Sequence, residues 1–137
     1  MTFKVVIDTN VWISGLLFDG TIPAQIVDAV LDGRLEALAD DRLYLEIAST
    51  LQRKKFDRYF KLDDRMAAFD KIVPFLNFIT APIPIEICRD PNDNMILEIA
   101  VNGEVSHIIT GDADLHILHP FRKIPILSPS DFVKFIS

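Results

Sequence analysis

The sequence predicts an α/β protein with three layers, in which helices cover both faces of a central, mostly parallel sheet. Short β-branched and aromatic runs alternate with helical patterns along the chain, which is typical of strand–helix–strand units. These runs are almost wholly apolar, as expected of strands that are buried on both faces. A length of 137 residues and a hydrophobic content of 50% predict one domain, residues 1–137, with a sizeable core.

The predicted strands are short and follow one another at intervals that leave room for helices. They cover residues 3–7, 35–39, the first part of 77–87, 107–110 and 124–127. The predicted helices have apolar residues at helical spacing and mostly begin at polar capping residues or next to proline. Their caps or first residues are Val11, Thr21, Asp40 or Asp41, Asp63, Asn92 and Ser128.

Cysteine content and hydropathy indicate the compartment. Cys88 is the only cysteine, so no intrachain disulfide can form and a reducing compartment is expected. The N-terminus carries charge too early for a signal peptide, and no apolar run reaches the roughly 18 residues of a membrane span. We therefore expect a soluble, cytoplasmic protein without a membrane partner.

The charge distribution is uneven. The net charge is −6, whereas nucleic-acid-binding proteins are usually basic. Residues 52–61, called the basic segment below, nevertheless contain five basic residues and one acid. Either this segment is a solvated helix end, or it is a local patch that contacts RNA phosphates beside an acidic site. The candidate RNA-binding residues are Arg53, Lys54, Lys55 and Arg58.

Four acidic residues that are distant in sequence are predicted to meet at one edge of the sheet. Asp8 and Asp112 directly follow predicted strands, Asp93 opens a helix that leads into a strand, and Glu46 lies one turn into the third long helix. Catalytic and ligand-binding groups of open α/β sheets gather at the carboxyl ends of the strands. Each acid alone is also explained as a turn, a helix cap or a solvated residue.

Clustered carboxylates repel one another, and a divalent cation removes that repulsion. Mg²⁺ and Mn²⁺ prefer oxygen ligands, so either ion suits such a cluster. A site of this kind favours attack of water on a phosphodiester. An aspartyl-phosphate phosphatase also begins with an acid after a strand, but it needs a second acid where this chain has Asn10.

Four segments resemble the motifs of PIN-domain proteins of the bacterial and archaeal toxin type. They are VIDTNVWIS at residues 6–14, LYLEI at 43–47, RDPNDN at 89–94 and ITGDADL at 109–115. The resemblance covers nearly the whole chain, and its strength lies in the order and spacing of all four motifs. It implies a PIN-like, Rossmann-like sheet, a Mg²⁺ or Mn²⁺ site and cleavage of single-stranded RNA. It also implies a homodimer and, in many cases, a small antitoxin encoded alongside.

The resemblance assigns roles by position. Asp8, Glu46, Asp93 and Asp112 match the catalytic acids of the family. Asp114 matches a fifth acid, which adds to Asp8, Asp93 and Asp112 as a metal ligand. Asn10 and Thr110 match the polar residues that orient the first and fourth acids. Asp90 has no secure counterpart and is interpreted as part of an Asp-Pro turn.

The leading functional prediction is a metal-dependent endoribonuclease that acts as the toxin of a toxin–antitoxin pair. The alternative is a catalytically silent PIN-like protein that binds nucleic acid or another protein. The first two helices carry many apolar residues, which indicates either a dimer interface or close packing on the sheet. These residues are Val11, Trp12, Ile13, Leu16, Leu17, Phe18, Ile22, Ile26 and Val27.

Overall fold

Five parallel strands form the central sheet of the computed structural model, which describes residues 2–137. The strands are β1 (Phe3–Ile7), β2 (Leu35–Ala39), β3 (Leu76–Phe78), β4 (His107–Ile109) and β5 (Ile126–Leu127). Their order across the sheet is β3-β2-β1-β4-β5, and each neighbouring pair is parallel. The predicted α/β class and parallel sheet are therefore confirmed.

Within residues 2–137, seven α-helices connect or follow the strands. They are α1 (Thr9–Leu17), α2 (Ile22–Leu31), α3 (Asp41–Leu51), α4 (Leu62–Ile72), α5 (Pro91–Asn102), α6 (Ala113–His116) and α7 (Pro129–Ile136). Connections between parallel strands are right-handed. The connections from β1 to β2 and from β2 to β3 run in one direction across the sheet, and the connection through α5 from β3 to β4 runs in the other. Their helices therefore lie on opposite faces of the sheet. This arrangement gives the three layers that the sequence predicts.

The pairing of β1 with β4 determines where the candidate site forms. Ile7 is opposite Ile109 in the register, so both strands end at the same level. The backbone N–H of Asp8 donates to the carbonyl of Ile109 at 3.0 Å, which extends the pairing one residue beyond β1. Because Asp8 and Thr110 each follow their strand directly, they emerge side by side at the carboxyl edge of the sheet.

Several helix ends agree with the predicted capping residues. The hydroxyl of Thr21 accepts from the N–H of Ala24, and a carboxylate oxygen of Asp40 accepts from Leu43 N–H. Ser128 caps α7 by accepting from Asp131 N–H at 3.1 Å. Each cap satisfies a backbone donor that the first turn of a helix leaves without a partner.

The structure corrects some element boundaries. Asp90 caps α5 by accepting from Asn92 N–H at 2.9 Å, so the helix begins at Pro91 and Asn92 is not the cap. The predicted third strand is reduced to Leu76–Phe78, and the rest of residues 79–87 has no regular structure. The short helix α6, which the sequence pattern did not predict, follows Asp112.

The apolar residues of α1 and α2 lie mainly in the core of the chain itself. Trp12 is 1% exposed, and Val11, Ile13, Ile26 and their apolar neighbours are also buried. The abundance of apolar residues in these helices is therefore explained by packing within the chain, and it gives no support to the predicted dimer. Among the described residues, no helix has the length and apolar character needed to cross a membrane.

Candidate metal centre

Three carboxylates converge beyond the carboxyl end of β4. Asp93, Asp112 and Asp114 each place one oxygen so that all three atoms lie within 4.8 Å of one another. Asp93 comes from the first turn of α5, Asp112 caps α6, and Asp114 lies in the first turn of α6. Asp93 is only 5% exposed, whereas Asp114 faces solvent. The cluster therefore has a buried side and an open side.

The loop between β4 and α6 is held by hydrogen bonds at both ends. A carboxylate oxygen of Asp112 accepts from Asp114 N–H at 2.9 Å. The imidazole Nε2 of His116 lies 2.6 Å from the carbonyl oxygen of Thr110. A carbonyl can only accept, so Nε2 carries the hydrogen in this contact. The capping bond and the His116 bond together hold Asp112 beside the end of the strand.

Thr110 joins the first acid to the fourth. Its hydroxyl donates to Asp8 Oδ2 at 2.7 Å and accepts from the backbone N–H of Asp112 at 3.0 Å. Its side chain is fully buried, so both bonds are shielded from water. Through these two bonds Thr110 links the Asp8 carboxylate to the backbone at Asp112.

Burial and nearby negative charges raise the pKa values of two acids, Asp8 and Asp93. Burial raises the pKa of Asp93 to about 7, and a hydrogen bond with Asp112 and the negative charges of Asp112, Asp90 and Asp8 contribute to the rise. Burial also raises the pKa of Asp8, although the hydrogen bond from Thr110 offsets part of this effect. A group of acids that repel one another in this way is stabilised by a cation.

Sequence reasoning missed several residues around the cluster. The charge of Asp90 raises the pKa values of both Asp8 and Asp93, so this cap also contributes to the electrostatics of the site. Arg89 Nη2 lies 3.4 Å from Asp114 Oδ2, and the side-chain amide of Asn94 holds residues 87 and 88 by three hydrogen bonds. The proline at position 91 was the signal for Asp90, because proline favours the first position of a helix.

Asp8 and Glu46, two of the four predicted catalytic acids, lie outside the three-carboxylate group, and so does the predicted orienting residue Asn10. Glu46 is half-buried on α3, outside the three-carboxylate group. The acid at the carboxyl end of β2 is instead Asp40. The guanidinium of Arg42 forms ion pairs with Asp40 and with Glu98 of α5, each at 2.7 Å. Asn10 is exposed at the start of α1, and its side chain forms no hydrogen bond with any residue in the described range.

A cavity of about 360 Å³ opens beside Asp8 and Asp112. Its remaining lining comes from the first two helices, the loop after β4 and the start of α7: Asn10, Val11, Ser14, Pro23, Gly111 and Pro129. A separate cavity of about 190 Å³ is lined by Asp114 and by residues 87–89 and 117–118. The three-carboxylate group therefore contributes to the lining of two recesses.

The basic segment lies away from the acids. It follows the C-terminus of α3, and its Phe60 contacts Phe18, the residue after α1, with ring centroids 5.5 Å apart. The carboxyl edge of the sheet that carries Asp8, Asp93, Asp112 and Asp114 is called the acidic edge below. Helices α1 and α3 both start at this edge, so the basic segment lies roughly 15 Å from it by the rise of a helix. Arg65 anchors the segment by donating to the carbonyls of Leu51 and Arg53 at 2.7 and 3.0 Å. The candidate RNA-binding residues, Arg53, Lys54, Lys55 and Arg58, are all exposed.

Cys88 and His107, the other reactive side chains considered, lie in surroundings that do not favour catalysis. Burial, together with the nearby acids, raises the pKa of the Cys88 thiol, which disfavours the thiolate. His107 packs among Phe3, Phe132 and Phe135, and burial lowers its pKa. Neither residue belongs to the three-carboxylate group.

Comparison with known proteins identifies the family of this arrangement. A family model described as "PIN domain" matches residues 4–114. The uncharacterized protein MJ1680 of Methanocaldococcus jannaschii is 30% identical over 150 residues, which cover 98% of this chain and 94% of that protein. Both similarities span the acidic edge.

Solved structures share the fold at low sequence identity. PAE2754 from Pyrobaculum aerophilum superposes with a TM-score of 0.64 at 12% identity, covering 99% of this chain and 98% of that one. A chain of VapBC2 from Rickettsia felis, solved with a DNA fragment from the promoter, gives 0.62 at 9% identity and coverages of 91% and 98%. The PIN domain endonuclease Utp24 gives 0.51 at 17% identity and coverages of 91% and 84%.

Proposed function

The chain belongs to the PIN-domain family, and we propose that it is a divalent-metal-dependent endoribonuclease that cleaves single-stranded RNA. PIN domains are generally metal-dependent nucleases. The observation that carries the proposal is the convergence of Asp93, Asp112 and Asp114 within 4.8 Å, with Asp8 joined to the same edge through Thr110. A buried acid among other acids, with a pKa raised to about 7 as at Asp93, is typical of functional sites.

The donor set fits Mg²⁺ or Mn²⁺. All the candidate ligand atoms are carboxylate oxygens, which hard divalent cations prefer, and no thiol or imidazole belongs to the group among residues 2–137. Asp93, Asp112 and Asp114 would hold the ion, with Asp8 as a further ligand. When bound there, the ion would supply charge neutralisation at the phosphate and a more acidic water for the attack.

The chain's own residues supply the positioning. The Thr110 hydroxyl fixes the orientation of the Asp8 carboxylate, and the His116 bond holds the loop that carries Asp112. We assign Glu46 to the catalytic acids on the motif resemblance alone. The exposed Arg53, Lys54, Lys55 and Arg58 would hold phosphates of the strand at a distance from the cleaved bond.

The proposal includes a small antitoxin as a partner and a homodimer as the assembly. Its support is the resemblance of four motifs to toxin-type PIN proteins, together with the fold similarity to a chain of the VapBC2 structure. A short reading frame adjacent to this one, whose product binds the chain and stops RNA cleavage, is the expected observation. Light scattering at tens of micromolar tests the dimer, and a mass of one chain would exclude it.

The decisive experiment compares Asp112→Asn with wild type on a labelled, unstructured RNA in the presence of Mn²⁺. Asparagine caps a helix as well as aspartate, so α6 remains intact. We expect cleavage to fall by at least about 100-fold, since metal-site changes one shell further out already cost about 10–100-fold. RNA affinity in EDTA should stay equal or rise, because a negative charge facing phosphate is lost.

Asp70→Asn is the matched control, because Asp70 is exposed on α4 and has no ion pair with any described residue. It should cleave as fast as wild type. Equal cleavage by Asp112→Asn and wild type would mean that the active-site assignment is wrong. Wild-type protein that binds Mn²⁺ and RNA without cleaving would instead support a silent, nucleic-acid-binding PIN protein.

A further inference from the structure

We propose that the 360 Å³ cavity beside Asp8 and Asp112 binds one unpaired nucleobase of the RNA strand next to the cleaved phosphate, and that Asn10 and Ser14 recognise its edge. This inference rests on the proposed ribonuclease function and adds a specificity site to it. The site is called the base pocket below, and its eight lining residues were given above.

The base pocket has the size and position of a ligand site. A volume of about 360 Å³ lies within the range of roughly 300–1,000 Å³ that small-molecule pockets occupy. Asp112 belongs both to the base pocket and to the three-carboxylate group. A nucleotide with its phosphate at the carboxylates would therefore have its base within reach of this recess.

Two free hydrogen-bonding side chains line the base pocket. Asn10 and Ser14 are four residues apart, so they occupy the same face of α1. Neither side chain hydrogen-bonds to another residue in the described part of the chain, whereas most polar side chains at the acidic edge do. An amide has one acceptor and two donor hydrogens, and a hydroxyl has both functions. Such groups match the donor and acceptor edges by which unpaired bases of RNA are read.

The rest of the lining suits the faces of a base and an anionic backbone. Val11, Pro23 and Pro129 present apolar surface. They also lie in the first turns of α1, α2 and α7, so the N-terminal ends of three helices surround the recess. The positive ends of helix dipoles favour a phosphate in their neighbourhood.

Gly111 is the one glycine that lines the base pocket. A Cβ built on this residue meets no atom within 4 Å, and its backbone does not adopt the left-handed conformation. A larger side chain could therefore be introduced there without backbone strain, and it would occupy space at the wall of the pocket. Position 111 thus offers a way to fill the pocket without removing any hydrogen-bonding group.

The test is an abasic scan. Fluorescence anisotropy would measure the binding of single-stranded RNA oligonucleotides of about nine residues in Ca²⁺, each lacking the base at one position. Wild type should lose about five- to tenfold in affinity when one particular base is missing, the effect of one or two hydrogen bonds. Asn10→Ala should lose that dependence at the same position and keep the affinities for oligonucleotides altered elsewhere.

Gly111→Val provides the second arm. It should weaken binding of the intact oligonucleotide and leave binding of the abasic one unchanged, because a filled pocket penalises only the strand that still has its base. Gln25→Ala is the control, since Gln25 is an exposed amide on α2 that lines a different cavity. It should reproduce the wild-type scan.

A flat abasic scan in wild type would overturn the base pocket. So would an Asn10→Ala variant that weakens all oligonucleotides by the same factor, because that result indicates a general structural effect. Either result leaves the ribonuclease proposal intact if Asp112→Asn still abolishes cleavage. Wild-type protein that neither binds nor cleaves any of the oligonucleotides would instead refute the proposed function, and the base pocket with it.

Discussion

Replacing Asp93 with asparagine should make the metal-free protein more stable at neutral pH. Asp93 is 5% exposed, and its pKa of about 7 lies well above the ordinary value of 3.8. The folded protein therefore binds the proton more tightly than the unfolded chain. As a result, the stability of the wild type falls as pH rises from about 4 to about 7, and remains at the lower level above that.

The magnitude follows from the difference between the two pKa values. Each tenfold change in proton affinity corresponds to about 1.4 kcal/mol. A rise from 3.8 to about 7 therefore means that the ionised Asp93 carboxylate lowers the free energy of unfolding by on the order of 4 kcal/mol above pH 7. Asparagine keeps the shape of the side chain and carries no charge. Asp93→Asn should therefore lose most of this pH dependence and exceed the wild type in stability at pH 8.

Urea unfolding in EDTA at several values between pH 5 and pH 8 measures the effect, followed by the same series with millimolar Mn²⁺. Added metal should stabilise the wild type most at high pH, where it need not displace a proton, and should stabilise Asp93→Asn far less. Asp70→Asn should behave as wild type throughout. A wild-type stability that is flat from pH 5 to pH 8, or an Asp93→Asn variant that is less stable at pH 8, would refute the reasoning.

Three further predictions test other contacts. Thr110→Val removes the hydroxyl that donates to Asp8 and accepts from Asp112 N–H, so the free energy of unfolding should fall by about 1–3 kcal/mol. The rise in Tm that Mn²⁺ causes should also become smaller. An undiminished rise would contradict the role of Thr110 in orienting Asp8. Alanine at Arg53, Lys54 and Lys55 should weaken the binding of RNA of about sixteen residues and flatten its salt dependence. A dinucleotide cannot span the distance from the acids to the basic segment, so its binding should be unchanged; equal effects on both lengths would place the segment nearer to the site. Arg65→Met leaves the carbonyls of Leu51 and Arg53 without their donor, so the free energy of unfolding in urea should fall by about 2–4 kcal/mol. An unchanged midpoint of unfolding would mean that water replaces the guanidinium.

Local sequence patterns predicted the parts of the site that depend on a single strand end. Asp8 and Asp112 directly follow β1 and β4, and parallel strands bring their carboxyl ends to the same edge, so no long-range information was needed. The N-terminal cap of α5 was harder to predict, because residues 90–94 contain several good capping residues in close succession. Pro91, which favours the first position of a helix, is the only signal that identifies Asp90 as the cap in preference to Asn92.

Other parts of the site depend on contacts between distant residues. The bond from Thr110 to Asp8 spans 102 positions, and it leaves Asn10 free to face a cavity. The direction of Glu46 depends on the rotation of α3 about its axis, which tertiary packing decides. A large number of apolar residues in α1 and α2 is compatible with burial in the core and also with burial in a dimer interface. Their number alone could therefore not distinguish between the two.

The distance between the acids and the basic segment explains how a chain with a net charge of −6 could bind RNA. The separation of roughly 15 Å exceeds the Debye length of about 8 Å at physiological ionic strength, so the exposed lysines and arginines do little to neutralise the acidic edge. If the chain is the ribonuclease proposed above, the phosphate to be cleaved approaches carboxylates whose charge only a nearby cation or protons can reduce. Binding of a long strand would then begin at the basic segment without metal, whereas entry of the strand into the acidic edge would require the cation first. RNA affinity should consequently depend on metal most strongly for the shortest oligonucleotides, which cannot reach the basic segment from the site.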